Sequence, residues 1–285
     1  MSRRRFLKVM GGSAFAAACS SHTALVAGGT TAPTGLEQRG LRAIAFDLFT
    51  IFDPRLVDQR VATLLNTDAA FAKTWKSRLF EYSWIRAASG RYVDFEQLVR
   101  DALQFAARVH GLTITEAVQT QLANTFTELK LWPDSLSALQ KLRSRGLSLT
   151  PLANFSPSMI EQLLTQGQIR DLFATIISTD EARSYKPDPR AYGLAEAKLG
   201  LQREQIAFAA FGGWDAAGAA WYGFPTFWVN RLGVPQEELH HAATVGPDLD
   251  ALAVWALERR AEPDDFPLPV SAGIDRHGAA NIKKR

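Results

Sequence analysis

The sequence contains one cysteine, Cys19, and it precedes the globular body. An internal disulfide, a cysteine-based zinc site and a thiol nucleophile in the body are therefore excluded. Long apolar runs are also missing near the start. The stretch from residue 9 to about 18 falls well short of the roughly 20 residues a helix needs to span a bilayer. Charge of one sign is lacking too. The net charge is +3 over 285 residues, and the first 32 residues hold four basic side chains and no acid, leaving 28 basic against 29 acidic residues in the rest. A near-neutral body argues against a nucleic-acid surface. No internal repeat is evident, and no convincing strand signal lies between residues 56 and 131.

What is present begins with Ser2-Arg3-Arg4-Arg5-Phe6-Leu7-Lys8, followed by a short run rich in Ala and Gly. This resembles a twin-arginine export signal. Ala16-Ala17-Ala18 ahead of Cys19 offers a small-residue cleavage site, with lipid attachment at Cys19 as the alternative. Such signals carry folded proteins, which suits a body without disulfides, so export to the periplasm with no stable membrane span is expected. Residues 20–40 have the composition of a linker.

The body is organised around Ala43-Ile44-Ala45-Phe46-Asp47. A continuous apolar run suits a strand buried on both faces of a parallel sheet. Ligands collect at the carboxyl ends of such strands, so Asp47 stands where a nucleophile would stand, or else simply starts a turn. Helical spacing then takes over. Phe71, Trp75, Leu79, Tyr82 and Arg86 share one face, and the pattern repeats at Phe95, Leu98, Ala102 and Leu103 and at Val118, Leu122, Phe126 and Leu129. This predicts about four helices over residues 56–131. Alternation of strand and helix resumes after that, with helices over 134–145, from Ser156-Pro157, from Asp188-Pro189 to Gly200, over 215–222 and over 248–259. Strands are expected over 147–153, 174–178, 206–211 and 225–229. Ser and Asp caps followed by proline, and Gly146 and Gly200 as stops, mark the helix ends. The expected organisation is α/β: a Rossmann-like, doubly wound parallel-sheet core (41–55 and 132–260), an inserted helical domain (56–131), a signal and linker (1–40) and a disordered tail (261–285).

Three further segments fall at strand ends. Lys186 lies in Ser184-Tyr185-Lys186-Pro187-Asp188-Pro189, where flanking prolines stiffen the backbone. Facing Asp47, it would keep that carboxylate ionised; otherwise it is a solvated loop lysine. Asp215 follows the fourth strand, as a site residue or a plain N-cap. Asn154-Phe155-Ser156 places backbone N–H groups at a helix N-terminus, a seat for a carboxylate or phosphate.

Taken together, AFDLFTIFD, LANFSP, YKPDPRAY, WDAAGAAWYGFPTFWVNR and WKSRLFEYSWIRAASGRYVDF resemble the type II L-2-haloacid dehalogenases of the haloacid dehalogenase superfamily, over about residues 41–257. The resemblance implies a Rossmann-like core and a helical cap with the active site between them. It also implies displacement of halide from short (S)-2-haloacids by Asp47, through an aspartyl ester whose hydrolysis yields (R)-2-hydroxyacids. Lys186, Asp215 and Tyr192 fall on the family's catalytic lysine, aspartate and tyrosine, and Asn154 on a substrate-contacting position. Phe95 and Trp214 match pocket walls. No metal and no cofactor is implied. Phe49 stands where the superfamily's phosphatases carry a second aspartate, which argues against phosphoryl chemistry. The family commonly dimerises through its cap, so a homodimer is expected.

Several positions depart from the family pattern. Phe49 replaces a tyrosine. Thr50-Ile51 stands for a Gly-Thr pair, so either Ile51 replaces the threonine or one residue is deleted and Thr50 serves. Lys76 takes the place of the cap arginine that helps hold the leaving halide, keeping charge but not the planar fork. Ala153, Ala210 and Gly212 replace polar residues. Loss of one aimed donor costs about 10²–10³ in rate. Two rival functions therefore stay open, a same-fold hydrolase attacking another electrophile through Asp47 and an anion-binding protein with impaired turnover. Elsewhere, Trp132-Pro133-Asp134 simply starts a helix, and the adjacent His240-His241 have poor spacing for metal ligation.

Overall fold

The computed structural model describes residues 40–261 apart from 68 and 240–242. The arginine run at Arg3, Arg4 and Arg5, Cys19, the His240-His241 pair and the tail from 262 onward lie outside the described residues. The body opens with β1 (Ala43–Phe46), turns through the short helix α1 (Leu48–Ile51) and reaches β2 (Phe52–Asp53). Helices α2 (Arg55–Leu65), α3 (Ala69–Ser89), α4 (Phe95–Val109) and α5 (Glu116–Asn124) follow. Strand β3 (Lys130–Leu131) then returns antiparallel to β2, with Phe52 opposite Leu131. Entry to and exit from the helical segment are thus stitched side by side. Beyond it come α6 (Ser135–Ser144), β4 (Ser148–Ala153), α7 (Pro157–Gln166), β5 (Ile177–Ser178) and α8 (Pro189–Leu199). The chain finishes with β6 (Ile206–Ala210), α9 (Gly213–Tyr222), β7 (Thr226–Val229), β8 (Thr244–Gly246) and α10 (Leu249–Leu257).

The six longer-range strands form one parallel sheet in the order β5-β4-β1-β6-β7-β8. β1 lies inside it, with Ala43 opposite both Ser148 and Ile206. Its side chains divide between two apolar layers. Ile44 and Phe46 join Leu139, Leu142, Ile160 and Leu252, whereas Ala43 and Ala45 join Tyr192, Ala195, Phe208 and Ala219. Alternate residues of a strand face opposite ways, so burial on both sides is what requires an apolar residue at every position. The chain runs outward from β1 to β4 and β5, then crosses back to β6 on the other flank. That reversal puts a crevice at the carboxyl end of β1, immediately ahead of Asp47.

The cap and stop signals act as expected. Ser156 Oγ accepts from Met159 N with Pro157 in the first turn, and Asp188 Oδ1 accepts from Arg190 N at 2.8 Å with Pro189 beside it. Gly146 and Gly200 take left-handed φ values of 85° and 64°. Phe71, Trp75 and Leu79 of α3 are buried in the cluster that holds Leu98, Ala102 and Leu103 of α4, and Trp75 donates to Val99 O at 3.0 Å. That stripe is packing.

Some expectations need correction. Strand 174–178 shrinks to the two residues of β5: Ala174 N reaches Leu149 O in the same register, but Pro151 of β4 has no N–H to return, and the Thr175 carbonyl takes the Thr150 hydroxyl instead. Helix α5 stops at Asn124 and passes through a single tight turn at 125–127, which leaves Phe126 and Leu129 buried without a continuous helix. β2, β3 and β8 were not foreseen; at two or three residues each, they carry almost no periodic signal.

Candidate functional site

Asp47 is the N-cap of α1. Its extended backbone (φ −63°, ψ 135°) lets Oδ1 accept from Phe49 N at 2.8 Å. Asp47 N donates to Ala209 O of β6 at 2.9 Å, which continues the sheet pairing up to the carboxylate. The other oxygen, Oδ2, accepts from Lys186 Nζ at 2.6 Å, and the same ammonium donates to Asp215 Oδ2 at 2.7 Å. Side-chain exposures are 15% for Asp47, 1% for Lys186 and 0% for Asp215. Asp47 is thus the one member of this triad that faces outward.

Burial alone would depress the Lys186 pKa, but the Asp215 and Asp47 carboxylates outweigh it and hold the ammonium above the ordinary lysine value. Burial pushes Asp215 up to about 6, with Asp47 adding to the rise and Lys186 and Tyr192 opposing it. Tyr192 OH donates to Asp215 Oδ1 at 2.6 Å. Burial, then the Asp215 charge, drives the phenol well above its ordinary value, so it stays a donor.

Backbone fit makes this possible. A Cβ on Gly218 of α9 would lie 2.6 Å from Pro187 Cβ and 2.8 Å from Tyr192 Oη, so glycine there lets the Lys186 loop and Tyr192 close on Asp215. Asn154, at the end of β4, accepts Lys186 N at 3.0 Å and Thr179 Oγ1 at 3.4 Å on Oδ1. Its Nδ2 group is thereby the donor offered to the adjoining cavity.

That cavity, about 210 Å³, lies between the carboxyl end of the sheet and the helical segment. Asp47, Asn154, Phe49, Phe155, Phe211 and Trp214 line it from the core, and Lys76, Phe80, Phe95 and Phe126 from the helical segment and its return. Its wall is mainly apolar and rich in aromatic rings. Phe95 and Phe155 rings sit 4.6 Å apart, and Phe49 packs edge-on to Phe155 and Phe211. The cations at its edge are already paired: Lys76 with Asp58 at 2.6 Å, and Arg55 with Asp53 at 2.6 Å. The Asn154 amide and the N-terminal end of α7 add further contacts for an anion.

Of the residues singled out from sequence, Asp47, Asn154, Lys76, Phe49, Phe95 and Trp214 line the cavity, and Lys186 and Asp215 lie directly behind Asp47. Three expectations are modified. Tyr192 does not line the cavity; it stands behind Asp215 and acts on that carboxylate. Thr50 is fully buried, and its hydroxyl donates to Asp47 O at 2.6 Å instead of facing the cavity. Ile51 is buried in the core, so Thr50 is the one of the pair whose side chain touches the nucleophile loop. Asp215 is not the N-cap of α9: Gly212 is, and Asp215 sits in the first turn, facing inward to Lys186.

Sequence reasoning gave no role to Arg231. Its side chain, 6% exposed, bonds Thr50 O through Nε at 2.9 Å and Nη2 at 2.7 Å, and pairs with Asp134 at 2.8 Å. Trp132 Nε1 adds a bond to Phe49 O at 3.0 Å. Two distant segments therefore clamp the carbonyls that follow Asp47. The position of Arg231, just past the end of β7, was the available signal.

The haloacid dehalogenase-like hydrolase family model matches residues 41–223. An (S)-2-haloacid dehalogenase from Pseudomonas sp. (strain YL) is 38% identical over 207 residues, covering 70% of this chain and 87% of that protein. One from Pseudomonas putida is 33% identical over 220 residues, covering 76% and 97%. The L-2-haloacid dehalogenase of Xanthobacter autotrophicus, solved with chloropropionic acid covalently bound, superposes with a TM-score of 0.69 at 28% identity, covering 75% of this chain and 97% of that one. With the family model spanning the Asp47, Asn154, Lys186 and Asp215 loops, the chain belongs to the haloacid dehalogenase-like hydrolase family.

Proposed function

We propose that the protein hydrolyses (S)-2-haloacids to (R)-2-hydroxyacids through an ester on Asp47. The observation that carries this is the buried Lys186 between Asp47 and Asp215, with Asp47 alone open to an aromatic cavity. A carboxylate nucleophile needs to be ionised, aimed and poorly hydrated. Lys186 and the Phe49 N–H supply the first two, and the phenyl walls the third. One Asp47 oxygen attacks C2 of the haloacid, the carbon–halogen bond breaks on the opposite side, and the halide leaves with the electron pair. C2 is inverted once.

Water then adds to the Asp47 carboxyl carbon. The oxygen not bonded to C2 takes the negative charge, held by whichever donor it already has, Lys186 Nζ or Phe49 N–H. Collapse releases the hydroxyacid and regenerates the carboxylate, and a proton passes to solvent. Asp215, with Tyr192 behind it, keeps Lys186 in place while Asp47 is uncharged as the ester. The names of the relatives, and the relative holding chloropropionic acid covalently, support the same reading.

Halide release from (S)-2-chloropropionate tests it. The wild-type protein is expected to release chloride, and Asp47→Asn to release none above background. A single turnover in ¹⁸O-labelled water is expected to leave the label in Asp47 and not in the product. Label found directly in the hydroxyacid would refute the ester.

Export is proposed on the Arg3-Arg4 segment, and N-terminal sequencing of the cellular protein checks it: an intact Arg3-Arg4 on the mature protein refutes it. A homodimer through the helical segment is proposed on family resemblance, with light scattering of the purified protein as its test. Among the described residues no helix is long and apolar enough to cross a membrane.

A further inference from the structure

This inference rests on the dehalogenation reading and concerns which 2-haloacid the site takes. The cavity is about 210 Å³, and an apolar cavity of about 150 Å³ is already enough to take up benzene. A haloacid with only a methyl on C2 leaves part of it unfilled. Most of the lining is apolar. Phe95 and Phe155 lie 4.6 Å apart between ring centroids. Phe80 of α3 meets Trp214 of α9 at 5.6 Å, and Trp84 supports the same indole at 5.4 Å. Gly212 allows that second wall: a Cβ there would lie 2.8 Å from Trp214 Nε1, so any side chain would push the indole away. The one cationic cavity residue from α3, Lys76, turns its ammonium to Asp58.

We propose that the physiological substrate is a 2-haloacid whose C2 substituent is an aryl-bearing or longer alkyl group, seated between the Phe80–Trp214 wall and the Phe95–Phe155 pair. The haloacid head keeps its place at Asp47 and Asn154, and the substituent covers apolar surface that a methyl leaves wet.

The test compares chloride release from (S)-2-chloro-3-phenylpropionate and (S)-2-chloropropionate. The expected kcat/KM ratio favours the phenyl compound by about tenfold or more, the scale set by burying an aromatic side chain. Phe80→Ala and Trp214→Ala, each checked for a native circular-dichroism spectrum and melting transition, are expected to lower that ratio several-fold. Equal or poorer use of the phenyl compound by a protein that dechlorinates chloropropionate overturns this inference and leaves dehalogenation standing. Chloride from neither compound overturns dehalogenation, and this inference with it. A phenyl preference unchanged in both variants overturns the assigned seat.

Discussion

Replacing Lys186 with methionine keeps most of the stem and removes the ammonium that touches Asp47 and Asp215 at 2.6 and 2.7 Å. Two charges 4 Å apart at an effective dielectric of 20 interact by about 4 kcal/mol, before the cost of taking them out of water. Cutting one partner from a buried pair typically costs about 3–5 kcal/mol, because the remaining charge is stranded. Here two carboxylates are left facing each other, one of them fully buried. Asp215 has an escape, which is to take up a proton. Its pKa already stands at about 6 against an ordinary 3.8, and the variant raises it further.

A carboxyl group with a raised folded pKa binds its proton more tightly when folded. Its contribution to stability is lost as pH climbs from the unfolded value through the folded one. Lys186→Met is therefore expected to be less stable than the wild type by about 3 kcal/mol at pH 8 and by distinctly less at pH 5. For a domain of this size, that corresponds to a melting point lower by about 6–12 °C at the higher pH. Urea or thermal unfolding at the two pH values measures it, and halide release is expected to fall by at least about 10²-fold. A variant as stable as the wild type at pH 8, or equally destabilised at both pH values, would refute the picture of one cation neutralising two buried carboxylates.

The same site sets a pH limb. As pH drops below about 6, Asp215 takes up its proton, Lys186 loses one of its two anchors, and kcat is expected to fall. Tyr192→Phe removes a donor that opposes the rise in the Asp215 pKa, so the limb moves to higher pH; a pH profile of kcat with an unmoved limb would count against it. Arg231→Ala breaks a largely buried ion pair and frees the Thr50 carbonyl, and is expected to lower stability by about 3 kcal/mol in a thermal melt, with activity falling as the loop after Asp47 loosens. A melting point unchanged within a degree would show that the clamp is not needed.

Much of this site could be read from sequence, because its parts sit at strand ends that local signals mark well. The apolar run before Asp47, the Ser156-Pro157 and Asp188-Pro189 helix starts, and the glycine stops all act over three or four residues. Their order places the loops on one edge of a parallel sheet. What local signals do not carry is direction. Thr50 turned its hydroxyl back onto the Asp47 carbonyl three residues earlier, and Asp215 turned inward from the first turn of α9 because Lys186, contributed from another loop, meets it there. Arg231 escaped notice for the same reason: its partners, Thr50 and Asp134, are 181 and 97 residues away along the chain. Lys76 was foreseen at the cavity, but its pairing with Asp58 depends on how α2 and α3 pack, which periodicity does not reveal. The short strands β2 and β3 are defined by each other and by little in their own residues.

The place of β1 inside the sheet has a consequence for how the chain is made. It is the first strand among the described residues, yet its neighbours begin at Ser148 and Ile206, so roughly a hundred and then a hundred and sixty residues must follow before each side is covered. The helices between them satisfy their own backbones locally and have no need to wait. Ala43-Ile44-Ala45-Phe46 is thus an apolar strand with two bare edges until β4 is made and one until β6 is, the kind of segment that slows folding through long-range pairing and exposes it to aggregation. The carboxylate at its end acquires Lys186, Asp215 and Arg231 only from the last half of the chain. A ribosome-bound fragment that ends before Lys186 holds the nucleophile and has no reactive centre.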